Sequence, residues 1–330
     1  MSAASADRMA TPRALRIATR SSNQARTQAE VVASALRNAY PAVQVELVFV
    51  ETTGDRRADV PLHQIGGQGV FVKEVQRAVL DGRADLAVHS AKDLTSQPAA
   101  GLMIAAITER RDPRDALIGR TLVDLATGAT VATGSVRRRA QLAELRPDLQ
   151  FVELRGNIGR RLEKIPAGGA IVMAVAALQV LEMTDQIAEI FEVETMVPQV
   201  GQGAIALECR VDDRTTRHAC QQVEHVPSRL AVDIERAFLG EIGSGCSLPI
   251  GAYATPADQH GRRRLLTYLA NSVPSSTGWS DQPGGSQRRV IDLLIGDHPA
   301  DLARARSLAR ELTVGPASEV ITGADVPLQR

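Results

Sequence analysis

The sequence predicts an α/β protein of two similar layered lobes, followed by a smaller α+β domain. Three observations carry this. Up to about residue 222, short β-branched runs alternate with amphipathic helical stretches, the pattern of α/β layers with mainly parallel sheets. Two strand-to-helix junctions repeat one another, Ile17-Ala-Thr-Arg-Ser-Ser and Val131-Ala-Thr-Gly-Ser-Val-Arg-Arg. From Ser228 the order changes to one helix, a Gly-rich loop, three strands and a last helix.

In chain order, Leu15 to Thr19 reads as a strand. Ser22 is a suitable N-cap for a helix to Ala39, whose apolar face is Ala25, Ala29, Val32 and Leu36. Val43 to Val50 reads as a strand buried on both faces. A loop with Gly54, Gly66, Gly67 and Gly69 leads to a helix ending at Leu80 before Gly82. Asp85 to His89 is a strand ending in Ser90-Ala-Lys-Asp93, and Leu102 to Ile107 is another. Asp112-Pro113 has the form of an N-cap and N1 pair, which predicts a helix start. Thr130 to Thr133 leads into a helix carrying Arg137, Arg138 and Arg139. Phe151 to Leu154 precedes a turn, Arg155 to Arg161, that opens the next helix, and Ala170 to Val175 is a buried strand. Beyond Ser228, a helix to Ile242 precedes strands near Ile250 to Tyr253, Leu265 to Leu269 and Val290 to Ile295, then a helix from Ala300 to Leu312. Asn271 to Gln287, rich in Ser, Gly and Pro, reads as a mobile loop.

Composition narrows the function. The 330 residues carry 38 basic and 38 acidic side chains, and only Lys73, Lys92 and Lys164 are lysine. Zero net charge with few aromatics argues against a nucleic-acid binder. The longest apolar run, Ala170 to Leu178, falls far short of a membrane span, and Met1 to Thr11 reads as a frayed polar tail. Cys209, Cys220 and Cys246 make no disulfide framework, which points to a reducing cytoplasm. The histidines show no metal-ligand spacing with the cysteines, so no metal is expected. A GC-rich genome accounts for most of the arginine excess; the informative arginines are those at helix starts.

Ligands of open α/β sheets gather where strands end and helices begin, because free N–H groups point there. Arginine stands at three such junctions: Arg20, Arg137 with Arg138, and Arg155 with Arg161. Its planar fork suits carboxylates and phosphates. For any single one a surface arginine is the plainer reading; for the set a polyanionic ligand is favoured. Lys92-Asp93 sits just past a strand end, a common place for catalytic side chains, but taken alone it reads first as a loop salt bridge, and His89 as a packed or hydrogen-bonded residue. Cys246, between Gly245 and Ser247 on a loop, is either functional or structural on chemistry alone.

Read together, these segments resemble the porphobilinogen deaminase (hydroxymethylbilane synthase) family. The matching runs are Leu15 to Arg20, Val88 to Asp93, Arg111 to Ala116 and Leu154 to Gly159. Further on come Val200 to Ala204 with Glu208 to Arg210, Glu235 to Phe238, and Cys246 to Ala252, all in family order. The resemblance implies two periplasmic-binding-protein-like (type II) lobes with a discontinuous first domain, plus a small α+β C-terminal domain. Domain 1 would be 13–109 with 198–222, domain 2 110–197, and domain 3 226–330. It implies a cytoplasmic monomer that joins four porphobilinogen molecules head to tail, releasing ammonia each time, to give hydroxymethylbilane in tetrapyrrole (haem) biosynthesis. A dipyrromethane cofactor would be held by thioether to Cys246, with Asp93 as the catalytic carboxylate. The binding positions carried over are Arg20, Ser22, Gln28, Ser90, Lys92, Ser135, Arg137, Arg138, Arg155, Gly156, Asn157, Arg161 and Gln202; neither nucleic acid nor membrane is an expected partner. Every pyrrole brings an acetate and a propionate, so a growing chain needs a dense cationic lining.

The chain departs from the family pattern in places. Gln64 and Gln68 stand where lysines are common, and Val180 where an arginine is usual, which leaves Arg139 or Arg160 as candidate substitutes. Asn23-Gln24 replaces a frequent Pro-Leu, and Gly243-Ser244-Gly245 a common Glu-Gly-Gly. Two rival functions remain: a degenerate paralogue, and a carboxylate-binding protein of the same fold without catalysis.

Overall fold

The computed structural model describes residues 14–56, 69–243, 249–271, 274–275, 278–279, 284–293 and 298–314. The tail at 1–11, Gln64, Gly66, Gly67, Gln68 and the loop residues Ser244, Gly245 and Cys246 lie outside them.

The first lobe is built from β1 (Ala14–Arg20), α1 (Asn23–Ala39), β2 (Gln44–Val50), the single turn α2 (Thr53–Arg56), α3 (Lys73–Leu80), β3 (Leu86–Ser90) and β4 (Leu102–Ile107). The chain then crosses to the second lobe: β5 (Asp115–Ile118), β6 (Thr130–Ala132), α4 (Val136–Leu145), β7 (Gln150–Val152), α5 (Ile158–Leu162), β8 (Ala170–Ala174), α6 (Val175–Val180) and β9 (Ile187–Ile190). It returns to the first lobe as β10 (Ile205–Arg210) and α7 (Arg214–Gln221). The strand orders are β2-β1-β3-β10-β4 and β7-β6-β8-β5-β9, so the two lobes share one plan. In each, the fourth strand belongs to a segment adjoining a crossing between lobes, β10 after the return and β5 after the outward passage.

Four strands of each sheet run the same way, as expected, and the crossing strand alone runs against them. β1, β2 and β3 are parallel, as are β6, β7 and β8, but β10 runs antiparallel to both neighbours, and so does β5. A strand that arrives from the other lobe enters from the opposite end. For the same reason Asp112-Pro113 starts no helix. The Asp112 carboxylate accepts from Arg114 N at 2.9 Å, and the chain continues extended because Ala116, Leu117 and Ile118 fill a buried slot between β8 and β9. β2 is corrected too: it pairs only with β1 and is half-exposed along its length, an edge strand rather than one covered on both faces.

The third domain opens with α8 (Val226–Ile242), which has Pro227 in its first turn and ends at Gly243 with φ 74°. β11 (Ile250–Ala254), β12 (Arg263–Asn271) and β15 (Gly284–Leu293) form an antiparallel sheet, beside the short pair β13 (Pro274–Ser275) and β14 (Gly278–Trp279). Residues 284–287 are thus strand and not loop, because they pair with Leu269, Ala270 and Asn271. Helix α9 (His298–Val314) lays Ala305, Leu308, Ala309 and Leu312 on Ile234, Phe238 and Ile242 of α8.

One face of α8 belongs to another core. Val232 packs with Val72, Ala91, Leu94 and Ile107 of the first lobe. One turn along, the fully buried Glu235 accepts from Arg110 Nη1 at 2.5 Å and Nη2 at 3.2 Å, from Gly201 N at 2.8 Å and from Ala254 N at 2.9 Å. One carboxylate therefore joins both crossing segments to the third domain. Removing one partner of a buried pair strands the other charge, at a cost of about 3–5 kcal/mol. Glu235→Ala is expected to lower unfolding stability by that order in urea titrations; a variant as stable as the wild type would show that Arg110 does not depend on it.

Candidate active site

The site is assembled where four strand ends meet helix starts. β3 stops at Ser90 because the chain tightens into a 3₁₀ turn, Ala91–Asp93, leaving Lys92 and Asp93 partly open to solvent. Gly201, at φ 70°, presses on that turn: a Cβ there would lie 3.1 Å from the Ala91 carbonyl carbon and 3.2 Å from Lys92 N. Gln199 Nε2 donates to the Lys92 carbonyl at 3.1 Å. The turn is thus fixed by the return crossing, where only a glycine fits.

Three helix starts carry other residues of the expected set. Ser22 caps α1 through Ala25 N, Ser135 caps α4 through Arg138 N, and Asn157 caps α5 through Arg160 N. Gly156, at φ 117°, permits the bend before Asn157, and its carbonyl accepts from Arg161 Nε at 2.7 Å. Burial lowers the Arg161 pKa to about 10, and the like charges of Arg138, Arg155 and Arg20 act in the same direction, against Asp93. Although Lys92 keeps some contact with solvent, desolvation by its crowded surroundings lowers its pKa to about 8, with Arg138 and Arg137 adding to it and Asp93 and Asp115 opposing. These couplings place Arg20, Lys92, Asp93, Arg137, Arg138, Arg155 and Arg161 in one electrostatic neighbourhood drawn from both lobes. Its cations outnumber its carboxylates.

Other expected binding residues are held by the protein itself. Arg20 forms a bidentate pair with Asp55 and stacks 4.2 Å from the Phe71 ring centre. Burial opposes the ionised form of Asp55, but Arg20 and Thr52 bring its pKa below the ordinary value. Gln28, on α1, accepts from the Ser90 hydroxyl at 3.1 Å. Gln202 is fully buried and donates to the Pro113 carbonyl at 2.6 Å and to Asp115 Oδ1 at 2.9 Å. Arg137 Nη2 donates to Asp115 Oδ2 at 2.7 Å and Nη1 to the Val197 carbonyl at 2.7 Å, while its buried Nε has no hydrogen-bond partner among the described residues. Arg138 gives Nε and Nη2 to Asp115 Oδ1, at 3.0 and 2.7 Å, and Nη1 to the Val172 carbonyl at 3.0 Å. Cys246, the expected attachment point, lies outside the described residues.

Asp115, which holds Arg137, Arg138 and Gln202 together, was missed by sequence reasoning. It lies inside the run Arg111 to Ala116, and the available signal was an acid directly before the buried Ala116-Leu-Ile. His89 is packed, as expected, 2.9 Å from the buried Glu208. Val180 is buried; of its two candidate substitutes, Arg139 lies 5.6 Å from the Phe151 ring centre and Arg160 is exposed. Burial raises the thiol pKa of Cys209 to about 11 and raises that of Cys220 as well, so both are inert. Among the described residues no helix is long and apolar enough to cross a membrane, and no cluster of His, Cys, Asp and Glu is arranged to hold a metal.

Comparison with known proteins matches these features to one family. Residues 15–218 match the family model described as "Porphobilinogen deaminase, dipyromethane cofactor binding domain", and residues 229–270 match "Porphobilinogen deaminase, C-terminal domain". The porphobilinogen deaminase of Trichlorobacter lovleyi is 44% identical over 286 residues, covering 86% of this chain and 91% of that one. That of Brevibacillus brevis is 41% identical over 311 residues, covering 93% and 96%. Among solved structures, the alkanesulfonate-binding protein SsuA from Xanthomonas axonopodis pv. citri shares 18% identity over 71% of this chain and 78% of its own, with a TM-score of 0.34.

Asp115 sets an acid limit on stability. Burial works against its ionised form, yet Arg137 and Arg138 hold its pKa at about 2, below the ordinary 3.8. As pH falls from about 4 to about 2 the unfolded chain takes up this proton first, so the contribution is complete above that window and lost through it, an effect of about 2 kcal/mol. Asp115→Asn is expected to abolish this part of the acid dependence and to cost about 3–5 kcal/mol at pH 7. Urea midpoints at both pH values check it, and equal midpoints for variant and wild type at pH 7 would refute the role.

Proposed function

Because the chain belongs to the porphobilinogen deaminase family, we propose that it is a transferase condensing four porphobilinogen molecules head to tail, with loss of ammonia at each addition, to give hydroxymethylbilane. The observation that carries this reading is the crowd of cations around Asp93. Polycarboxylate pyrroles are ligands that such a site accommodates, and it is otherwise an unfavourable assembly of like charges. In this reading the enzyme is a cytoplasmic monomer, with domain 1 at 13–109 and 198–222, domain 2 at 110–197 and domain 3 at 226–330. The two sheets support the discontinuous first domain, since β10 returns to the first lobe's sheet.

The family's cofactor domain is named for dipyrromethane, and the residues present suit it. Two pyrrole rings bring four carboxylates to a neighbourhood with a cation surplus, and Arg137 Nε, without a partner among the described residues, is one donor for them. Arg20, Ser22, Gln28, Ser90, Lys92, Ser135, Arg137, Arg138, Arg155, Gly156, Asn157, Arg161 and Gln202 are the binding set of this reading, with Arg137, Arg138 and Gln202 acting partly through Asp115. Bound by thioether to Cys246, the group supplies the free pyrrole α-carbon from which the chain grows.

The chain's own residues do the rest. Charge-assisted bonds from arginine to carboxylate contribute roughly 1.5–3 kcal/mol each, enough to orient each incoming ring. Loss of ammonia leaves positive charge at the pyrrole N–H, and the Asp93 carboxylate, already fixed in its turn by Gly201 and Gln199, stabilises it without reorganisation. Asp93 then holds the proton released when the new carbon–carbon bond restores aromaticity. The Cys246 thiolate serves as the nucleophile that first attaches the primer.

Asp93→Asn is expected to lower kcat by about 10²–10³-fold, with the mass of two pyrroles still on Cys246. Cys246→Ala is expected to fold without any attached pyrrole. Both are read by intact mass and by uroporphyrin I formed from the unstable product. Pyrroles attached to the Cys246→Ala protein, or undiminished turnover in Asp93→Asn, would overturn the assignment.

A further inference from the structure

Arg20 is the last residue of β1, and two groups of the protein hold its guanidinium in different ways. Nε and Nη2 donate to the two oxygens of Asp55, Nε at 3.2 Å. The guanidinium lies over the Phe71 ring, 4.2 Å from its centre. Each support is fixed in turn. Asp55 Oδ2 accepts from Thr52 Oγ1 at 2.7 Å, and Thr52 is fully buried. The α2 turn that carries Asp55 is tied to α3 through Glu74, whose Oε1 accepts from Thr53 N at 2.9 Å. Phe71 sits against the same turn at Gly54, where a Cβ would overlap its ring. Phe71 therefore sets the plane of the guanidinium, and Asp55 occupies one edge of it.

A guanidinium has two edges that can each hold a carboxylate by parallel N–H donors, one built from Nε and Nη2 and one from Nη1 and Nη2. Asp55 fills the first. Among the described residues it is the only hydrogen-bond acceptor of the Arg20 side chain, so the second edge is left to a ligand. Unlike the wholly buried Asp115 cluster, this pair stays reachable: the Arg20 and Asp55 side chains keep 23% and 19% of their surface. Arg161 of the second lobe feels the Arg20 charge, so a carboxylate arriving between them meets a cation from each lobe. Each porphobilinogen brings two carboxylates, an acetate and a propionate. With both edges open Arg20 could clamp both; with Asp55 in place it takes one. The Asp55 charge also weakens that hold, because repulsion between carboxylates a guanidinium's width apart changes affinity by about threefold even at the dielectric of water.

We propose that Asp55 is a positioning residue that fills the inner edge of Arg20, limits it to one ligand carboxylate and keeps that carboxylate exchangeable. This rests on the function proposed above, in which four substrate molecules are taken up and one product is released in every cycle. An open, uncompensated arginine holds carboxylates more tightly than such a cycle tolerates. Asparagine at this position is nearly the same shape as the aspartate. It keeps one oxygen for Thr52, frees an Nη2 hydrogen and leaves the Arg20 charge unbalanced, while Phe71 still sets the guanidinium plane.

The test compares holoenzymes from a porphobilinogen-producing host: wild type, Asp55→Asn and Glu74→Gln. Calorimetry reads the binding of a pyrrole bearing acetate and propionate but no aminomethyl group, which lacks the leaving group and cannot react. Asp55→Asn is expected to bind this probe at least threefold more tightly and, with porphobilinogen, to lower KM and kcat together by at least threefold. Glu74→Gln removes one charge from the neighbouring helix without touching Arg20, and is expected not to tighten the probe. Unchanged or weaker probe binding by Asp55→Asn, or a KM that rises with kcat unchanged, overturns the proposal. So does tighter binding without slower turnover, and so does equal tightening by Glu74→Gln, which would make the effect one of general charge. If circular dichroism shows Asp55→Asn unfolded, Asp55→Ser is measured in its place against the same outcomes. A wild type that binds the probe but does not consume porphobilinogen fails the proposed activity, and the probe affinities still decide for or against Asp55; a wild type that binds neither removes both.

Discussion

Two guanidinium groups buried side by side repel one another, and Asp115 is the anion that offsets that cost. It binds Arg137 through one oxygen and Arg138 through the other, and Gln202 donates to it as well. The three partners come from α4 and from the return crossing, while Asp115 itself begins β5 after the outward crossing. The hinge between the lobes and the cationic wall of the site are therefore one hydrogen-bonded structure. A ligand carboxylate that reaches these arginines meets donors already aimed and ordered, so little conformational entropy remains to be lost on binding.

The same economy governs the Asp93 turn. Gly201 and Gln199 hold it from the return crossing, Ala91 and Leu94 are packed against Val232, and Glu235 accepts the Gly201 N–H. The carboxylate proposed as catalytic is thus set in place by the domain proposed to carry the cofactor cysteine. That arrangement suits a reaction in which a tethered chain must meet the same acid at each addition.

How far the site was legible depended on locality. Ser22, Ser135 and Asn157 could be placed because an N-cap is a contact over three residues, and all three are caps. The repeated junctions at Ile17 and Val131 signalled two lobes because equivalent strands turn into equivalent helices. Asp112-Pro113 misled because its local preference for a helix start was weaker than the burial of Ala116 to Ile118 in a sheet. β2 looked like a covered strand from its apolar content, but an edge position is a property of the neighbours a strand lacks. Arg137 and Arg138 looked like free ligand donors; that much of their valence is spent on Asp115 follows from a contact 22 and 23 residues away.

By itself the sequence determined the α/β class, the helix starts, the two-lobe repeat and the family motifs, since each is written in spacings of a few residues. Only the tertiary structure decided which charges meet, because Coulomb interaction depends on distance and burial and not on order along the chain. It set Lys92 of one lobe in the field of Arg138 of the other, and Arg161 in that of Arg20, and it gave Asp115 to the hinge.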